Sequence, residues 1–353
     1  MENKRLEIIL SSFPKVNIAV LGDFFLDLYI SLDRSLSELS IETNLEAFQA
    51  VGIQGLPGAA GVVTNNLIAL GASASAIAYT GDDGNGYMLR KELRQQGVNI
   101  EHLLQTTERF TPTYTKPMMT EVAGPTIELN RIDIKNRTPN PLELENEIIQ
   151  RMRTVIQDHD GILVTEQVKD DGCGVVSPRV REILAEISLA NPDKVFIVDS
   201  RHYPARYKHV SLKMNLAEAS KAVGELDAQL FADIQTENTM ERLEAAVACQ
   251  RLLWNKVKQP IFITLGSKGI SGYADGKDIY HPGYQTSKPI DIVGAGDSVL
   301  AGIGISLCAG ATPEEAAYIG NLIGSITIEQ IGTTGIATPE RLLQRHYEYQ
   351  QQH

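Results

Sequence analysis

The sequence predicts an α/β fold of three layers, an α/β/α arrangement in which a mainly parallel central sheet lies between helices and a small β-flap acts as a lid. Three observations carry this expectation. Short apolar runs of strand length recur at 16–22, 73–80, 161–165, 195–199 and 261–265. Stretches with helix start or stop signals alternate with them, the pattern of parallel strands joined by crossover helices. Two polar segments, 28–54 and 108–134, break the alternation and read as extended chain.

In order along the chain, VNIAVLG at 16–22 is the first strand and ends in Gly22-Asp23. Residues 56–71 open with Pro and Gly and read as a helix closed by Gly71. Residues 73–80 are strand-like, and 87–96 read as a helix stopped by Gly97. In the second polar segment, 113–121 and 126–133 are strand-like about a Gly124-Pro125 turn, and could fold over the mouth of the sheet. Ser177-Pro178 supplies an N-cap with proline at the first helical position. Thr312-Pro313-Glu314-Glu315 adds a capping-box glutamate, and Thr338-Pro339 repeats the cap and proline. Residues 347–353 are expected to fray. No repeat, low-complexity tract or composition shift divides the chain. Residues 1–353 are therefore expected to form a single domain, with 28–54 and 108–134 inserted as lid segments. Ligands of open parallel sheets bind beyond the carboxyl ends of the strands. Gly22-Asp23, Thr165-Glu166, Asp199 and Leu265-Gly266 fall there.

Composition narrows the partners. With 32 Lys and Arg against 44 Asp and Glu, the formal charge is −12, and no run of five like charges occurs. That argues against nucleic acid and anionic membranes, which are bound through basic patches. A phosphorylated metabolite stays admissible, because a local anion site can sit inside an acidic protein. Cys173, Cys249 and Cys308 are widely spaced and lack a CxxC pattern, which fits a reducing cytoplasm. The first fifteen residues carry charges and no long apolar core, so no signal peptide is expected, and no apolar run reaches membrane-spanning length. The histidines lack metal-ligand spacing.

The most informative stretch is IDIVGAGDSVLAGIGISLCAG at 290–310. The Gly294-Ala295-Gly296 turn leaves backbone N–H groups uncovered before an apolar segment of helical length. A helix starting there offers its unpaired amides and dipole to an anion such as phosphate. Asp297 at the mouth of that site reads either as a helix cap or as the base that takes a proton from a hydroxyl attacking a phosphoryl group. Asn215-Leu216-Ala217-Glu218 places an amide and a carboxylate on one helix face. This is either an N-cap with a first-turn glutamate, or a pair that holds water on Mg²⁺ near a nucleotide. TLGSKG at 264–269 is either a hairpin turn or a backbone approach to a nucleotide. Asp23 and Asp27 are either loop acids or acceptors for sugar hydroxyls. Lys116, Arg131 and Asp133 in the flap could touch a substrate phosphate or pair with one another. GDDGNG at 81–86 reads as a structural turn.

Together and in this order, these segments resemble the ribokinase-like (PfkB-type) family of carbohydrate kinases, over about residues 16–340. DIVGAGD at 291–297 resembles the family's C-terminal signature. The resemblance implies Asp297 as catalytic base and the amides of Gly294, Ala295 and Gly296 as anion hole. NLAE resembles the family's NxxE element, implying that Asn215 and Glu218 manage magnesium and phosphate. TLGSKG matches the nucleotide-loop pattern, so Thr264, Gly266 and Gly269, with Asn321 on a later helix, are implied on the ATP side. Asp27 falls on the aspartate that grips sugar hydroxyls. PGAAG at 57–61, with Gly58, lies on the N-terminal signature, and Asn66 follows it closely. With Asp23 after the first strand and Lys116 and Arg131 in the flap, these residues are expected on the substrate side. Asp291 is implied near a monovalent-cation (K⁺) site. GDFFLD, PTYTK, NRID and VTEQVK are most similar to heptose-phosphate kinases, and the nucleotidyltransferase module that often follows those kinases is not expected in this chain. The sequence departs from the family pattern at Val62, where an asparagine usually stands, at Val293, usually threonine, and at Glu166-Gln167. These changes fall mainly on sugar-facing positions. The implied function is ATP-dependent phosphoryl transfer to a sugar or sugar phosphate, with Mg²⁺. The exposed flap strands lead to the expectation of a homodimer paired through the lid, since an uncovered β-edge seeks a partner, and the cysteine pattern to that of a cytoplasmic protein. The alternatives are a nucleoside kinase on the same fold, to which Phe24, Phe25 and Phe48 point, and a non-catalytic sugar or nucleotide sensor, to which Val62 and Val293 point.

Overall fold

In the computed structural model, which describes residues 1–230 and 242–352, an N-terminal helix α1 (Asn3–Ser12) precedes the first sheet strand, β1 (Asn17–Gly22). The chain then leaves the sheet for a long antiparallel hairpin, β2 (Phe24–Leu39) with β3 (Glu46–Ala59). It returns through helix α2 (Ala60–Ala69) to β4 (Ser73–Gly81), helix α3 (Gly84–Gln95) and β5 (Leu103–Thr106). A second excursion makes β6 (Thr113–Thr120), β7 (Thr126–Glu128) and β8 (Ile132–Ile134). Helix α4 (Leu142–Val155), β9 (Gly161–Glu166), α5 (Pro178–Ala190), β10 (Val195–Ser200), β11 (Ser211–Asn215) and α6 (Leu216–Leu226) continue the alternation. After α7 (Arg242–Val257) come β12 (Ile261–Thr264) and the hairpin β13 (Ile270–Ala274) and β14 (Lys277–His281). Three helices end the chain: α8 (Ala295–Cys308), α9 (Pro313–Thr327) and α10 (Pro339–Gln352).

Among the described residues the central sheet has nine strands in the order β14-β13-β12-β11-β10-β9-β1-β4-β5. From β12 to β5 the pairing is parallel, while β13 pairs antiparallel with both β12 and β14, so it alone runs against the other strands of this sheet. Strand β9 is buried along its whole length, which is why such strands read as unbroken apolar runs. Helices cover both faces, which gives the expected three-layer α/β/α arrangement. Helices α2, α8 and α9 pack together, and α8 lies on β9, β10 and β11. A Cβ on Gly304 would lie 2.5 Å from Leu163 of β9, so glycine lets α8 ride directly on the sheet. No helix among the described residues is long and apolar enough to cross a membrane.

The two irregular segments form a second sheet in the order β3-β2-β6-β7, with β8 also on β6. Both are extended, as their composition predicts, though the sequence boundaries need correction. The helix expected over 56–71 starts only at Ala60, because 56–59 complete β3 against Phe24–Asp27. Pro57 is tolerated there because β3 is an edge strand and its missing N–H breaks no shared ladder. The strand expected over 126–133 is split into β7 and β8. The break faces Lys116 and Pro117 of β6, and Pro117 has no N–H to donate. The tail expected to fray from residue 347 is helical to Gln352. Tyr349 is buried, and Gln352 exchanges hydrogen bonds with Gln285 (3.0 and 2.9 Å).

Candidate active site

The Gly294-Ala295-Gly296 turn is built by backbone geometry. Gly294 has φ +76°, in the left-handed region, and a Cβ there would lie 3.2 Å from Thr334 and 3.3 Å from Val62. Both constraints call for glycine. Ala295 donates its N–H back to Ile292 O (3.2 Å), and Ser298 donates to Gly294 O (3.0 Å). Of the three amides expected to form the anion hole, that of Ala295 is therefore turned into the chain. Those of Gly294 and Gly296, joined by that of Asp297, have no backbone partner among the described residues. They sit at the positive end of α8.

Asp297 is half-buried in the first turn of α8. Burial and then the nearby Asp199 carboxylate push its pKa up to about 7, against the pull of Lys213 and Arg201. Beneath the turn lies a buried ion pair, Lys213 Nζ to Asp199 Oδ2 at 2.6 Å. A Cβ on Gly296 would lie 3.1 Å from Lys213 Nζ, so the ammonium sits directly beside the turn. Burial works against the Lys213 charge, but the Asp199 charge and hydrogen bond carry its pKa above the usual lysine value.

The NLAE and TLGSKG segments meet through strand pairing. Asn215 ends β11 directly beside Thr264 at the end of β12. Asn215 and Glu218 form a capping box at the start of α6: Asn215 Oδ1 accepts from Glu218 N–H (2.9 Å) and Glu218 Oε2 from Asn215 N–H (2.8 Å). Glu218 also feels Asp199 and Lys213, and burial, then Asp199, push its pKa up. After Thr264, Gly266 is exposed with φ +62°, leaving open backbone, and Gly269 (φ +96°) turns the chain into β13. Asn321 donates to Pro282 O (2.8 Å), fixing the start of the segment that leads to the 294–296 turn. Asp291 accepts from Val293 N–H (3.0 Å) and Gly332 N–H (3.3 Å), tying that segment to the loop after α9.

At the lid root the expected substrate residues separate into two groups. Asp27, Gly58 and Lys116 come together: Lys116 Nζ lies 3.0 Å from Asp27 Oδ1 and donates to Tyr29 Oη at 3.1 Å. A Cβ on Gly58 would lie 2.5 Å from the other Asp27 oxygen, so this glycine makes room for the carboxylate. Asp23 stands apart. It is buried, and its carboxylate accepts backbone N–H from Gln167 (2.7 Å), Val168 (3.1 Å) and Val175 (2.9 Å), which clamps the loop after β9. Asn66 is also buried, donating to Val62 O (3.0 Å) and Gly335 O (3.3 Å), which spends its amide on joining α2 to the loop after α9. Neither presents its polar group as an open contact for a sugar. Arg131 is exposed on the lid, paired with Asp133 at 2.7 Å and set over the Tyr114 ring.

A model of the pfkB family of carbohydrate kinases matches residues 18–341. The chain belongs to that family. A curated relative, the bifunctional protein HldE of Desulfatibacillum aliphaticivorans, is 30% identical over 332 residues, which cover 94% of this chain and 63% of the relative. The chain therefore spans less than two thirds of that relative's length. Among solved structures, phosphofructokinase-2 from Escherichia coli in complex with potassium has TM-score 0.69 at 15% identity, covering 95% of this chain and 99% of that one. Arabidopsis thaliana ribokinase complexed with ribose and ATP has TM-score 0.62 at 17% identity, with coverage of 94% and 98%. At these identities the likeness is one of fold.

In this PfkB-family chain, Lys213 and Arg201 belong to no motif of the sequence, while Asp199 reads there only as one of the residues at the ligand-binding ends of the strands. Lys213 had one readable signal: a lysine inside the apolar strand run SLKMN, two residues before Asn215. A charge there is costly unless a partner waits inside the fold.

Proposed function

We propose that this chain transfers the γ-phosphoryl group of ATP to a hydroxyl of a sugar or sugar phosphate. The single observation that carries the reading is Asp297, with its pKa raised to about 7, standing at a helix N-terminus whose open amides lie beside the Lys213 ammonium. The acceptor oxygen attacks the γ-phosphorus as its proton passes to Asp297, the bond to the bridging oxygen breaks, and ADP leaves. The Gly294, Gly296 and Asp297 amides and Lys213 stabilise charge on the transferring group. Among the described residues no three His, Cys, Asp or Glu side chains gather to hold a metal. That suits Mg²⁺ brought on the nucleotide phosphates and held through water by Glu218, with Asn215 orienting it, since Mg²⁺ keeps most of its waters. ATP would lie along Thr264–Gly269 and α9, and the acceptor between Asp27, Gly58, Lys116 and the lid. Asp291 would stand beside a K⁺ site.

A sugar acceptor is favoured over a nucleoside. Phe24 and Phe25 are buried, and Phe25 meets Tyr114 edge-on at 5.2 Å, so neither offers a free face to a base, while the exposed Phe48 carries the Arg34 guanidinium over its ring at 5.0 Å. Three lid-root cations, Lys116, Arg131 and Lys135, share two carboxylates, Asp27 and Asp133, which leaves positive charge for an acceptor phosphate such as that of a heptose phosphate. The free cysteines fit the cytoplasm. Two copies would pair through their lids.

The test is ADP release over free and phosphorylated sugars and nucleosides, with and without Mg²⁺ and K⁺. Asp297→Asn should keep fold and nucleotide binding and lose about 10²–10⁴-fold in turnover. Near-wild-type ADP release by that variant, or ligand binding without ADP release across the whole panel, removes the reading.

A further inference from the structure

From the end of β14 to the 294–296 turn, residues 282–293 run without helix or strand. A segment with no ladder of its own keeps its course only through what its neighbours supply. Those neighbours are the C-terminal helices and the loop between them. Pro282 O accepts from Asn321 and from Tyr349 Oη (2.9 Å), Gln285 pairs with Gln352, and Asp291 N–H donates to Ile328 O (2.8 Å).

At the centre stands Glu329, just after α9, with its side chain only 8% exposed. Towards the segment it accepts from Thr286 Oγ1 (2.9 Å) and Lys288 Nζ (2.8 Å). Towards α10 it lies 2.9 Å from Arg345 Nη2 and 3.6 Å from Arg341 Nη2. Arg345 is completely buried, and its position is over-determined. Its guanidinium stacks 4.0 Å from the Tyr284 ring centroid, donates Nε to Glu348 (2.8 Å), and donates Nη1 to Ser325 O (2.8 Å) and Oγ (2.7 Å). One carboxylate thus joins a fixed cation on the helix to two groups on the segment, and its preceding residue holds Asp291, three positions before Gly294. A buried ion pair is a poor device for stability alone, since apolar residues of similar volume often do as well. It is a good device for fixing one geometry.

We propose that Glu329 is a positioning residue for phosphoryl transfer: through Lys288, Thr286 and the buried Arg345 it sets the course of residues 286–293, and with it the aim of the 294–297 amides. The proposal rests on the kinase reading above. Donors at a transferring phosphoryl group must be held closely, and a misplacement of ~1 Å costs ~10²-fold in rate.

The experiment is a double-mutant cycle on the full chain with Lys288→Met, Glu329→Gln and both together, with Glu329→Asp as the conservative variant. Lys288 is largely exposed, so its removal leaves the buried pair and the fold in place. Steady-state kinetics, ATP affinity by calorimetry, thermal midpoint and hydrogen exchange of residues 284–297 are measured on each. Lys288→Met should keep the wild-type thermal midpoint and the acceptor KM, lower kcat/KM for ATP by about tenfold, and speed amide exchange in 286–296. Glu329→Gln should lose about 10²-fold, the double variant should be no worse than Glu329→Gln alone, and Glu329→Asp should recover part of the loss. The acid limb of the pH profile should stay in place in all four, because Asp297 is untouched. Variants that lose thermal stability yet keep kcat, ATP KM and slow exchange would show a purely structural pin and overturn the proposal. If the wild type releases no ADP with any acceptor, the kinase reading fails by itself. Exchange and ATP affinity still decide the positioning role, and wild-type values for both in Lys288→Met and Glu329→Gln would overturn it.

Discussion

At the scale of single residues the decisive quantity is the ionisation of Asp297. The proposed base must be ionised to act, and burial first and Asp199 second push this carboxyl's pKa up to about 7. Turnover should therefore climb with unit slope through about pH 7 and level off above it. The sign for stability is opposite. The folded chain holds this proton at pH values where an ordinary aspartate has lost it. The group's contribution to stability is thus full in acid and is lost as pH rises through about 7. The two members of the buried pair act on the limb in opposite directions. Asp199→Asn removes a charge that raises the Asp297 pKa and should move the limb to lower pH. Lys213→Met removes a charge that lowers it and should move the limb to higher pH. Shifts of pH–rate profiles for the two variants in the same direction would show that the pair does not act on Asp297 through charge.

At the scale of elements, the lid root depends on a glycine that has no need of a special φ. Gly58 faces Phe25 across the β2–β3 ladder, and its missing Cβ is the space into which the Asp27 carboxylate fits. Gly58→Ala should push Asp27 away from Lys116 while the strand pairing survives. The expected result is an acceptor KM raised about 10–100-fold, the worth of a hydrogen bond to a charged group, with the ATP KM unchanged. Equal changes in both KM values would point to general disruption of the strand instead. The lid strands themselves were legible, because 28–54 and 108–134 lack helical periodicity. Their ends were not, because Pro57 and Pro117 act through strand pairing, and whether a missing N–H matters depends on which neighbour a strand has. The same divide runs through the site. The Gly294 turn, the Asn215–Glu218 box and the Thr264 loop are local in sequence and could be read there. Lys213 with Asp199, and Glu329 with Arg345 and Lys288, are created by strand order and helix docking, so no spacing announces them. Asp23 misled for a related reason: the amides it accepts belong to a loop more than a hundred residues away.

At the scale of the whole molecule, charge and exposed surface pull against each other. A formal charge of −12 opposes self-association, yet the lid leaves apolar side chains in solvent. Leu39, Leu45, Val51 and Ile53 are all more than half exposed, and Ile41 at the hairpin tip is 99% exposed. Strand β3, which carries Val51 and Ile53, is also the edge of the lid sheet, so its outer backbone groups have no ladder partner among the described residues. An uncovered apolar edge of this length is a surface that seeks another strand, and the nearest supply at working concentration is a second copy of the same chain. The proposed lid-to-lid dimer should give a solution mass near twice the 38.7 kDa of one chain. Val51→Lys with Ile53→Lys places charge on that edge and should return the mass to that of one chain. The Gly294-Ala295-Gly296 turn starts α8, which packs on the central sheet and not on the lid, so nucleotide affinity should survive the change while the acceptor KM rises as the lid loses its support. A single-chain mass for the unmodified protein across micromolar concentrations would remove the dimer. It would leave the apolar lid to be explained by closure over the acceptor, in which case exchange protection of 46–54 should appear only when the acceptor is bound.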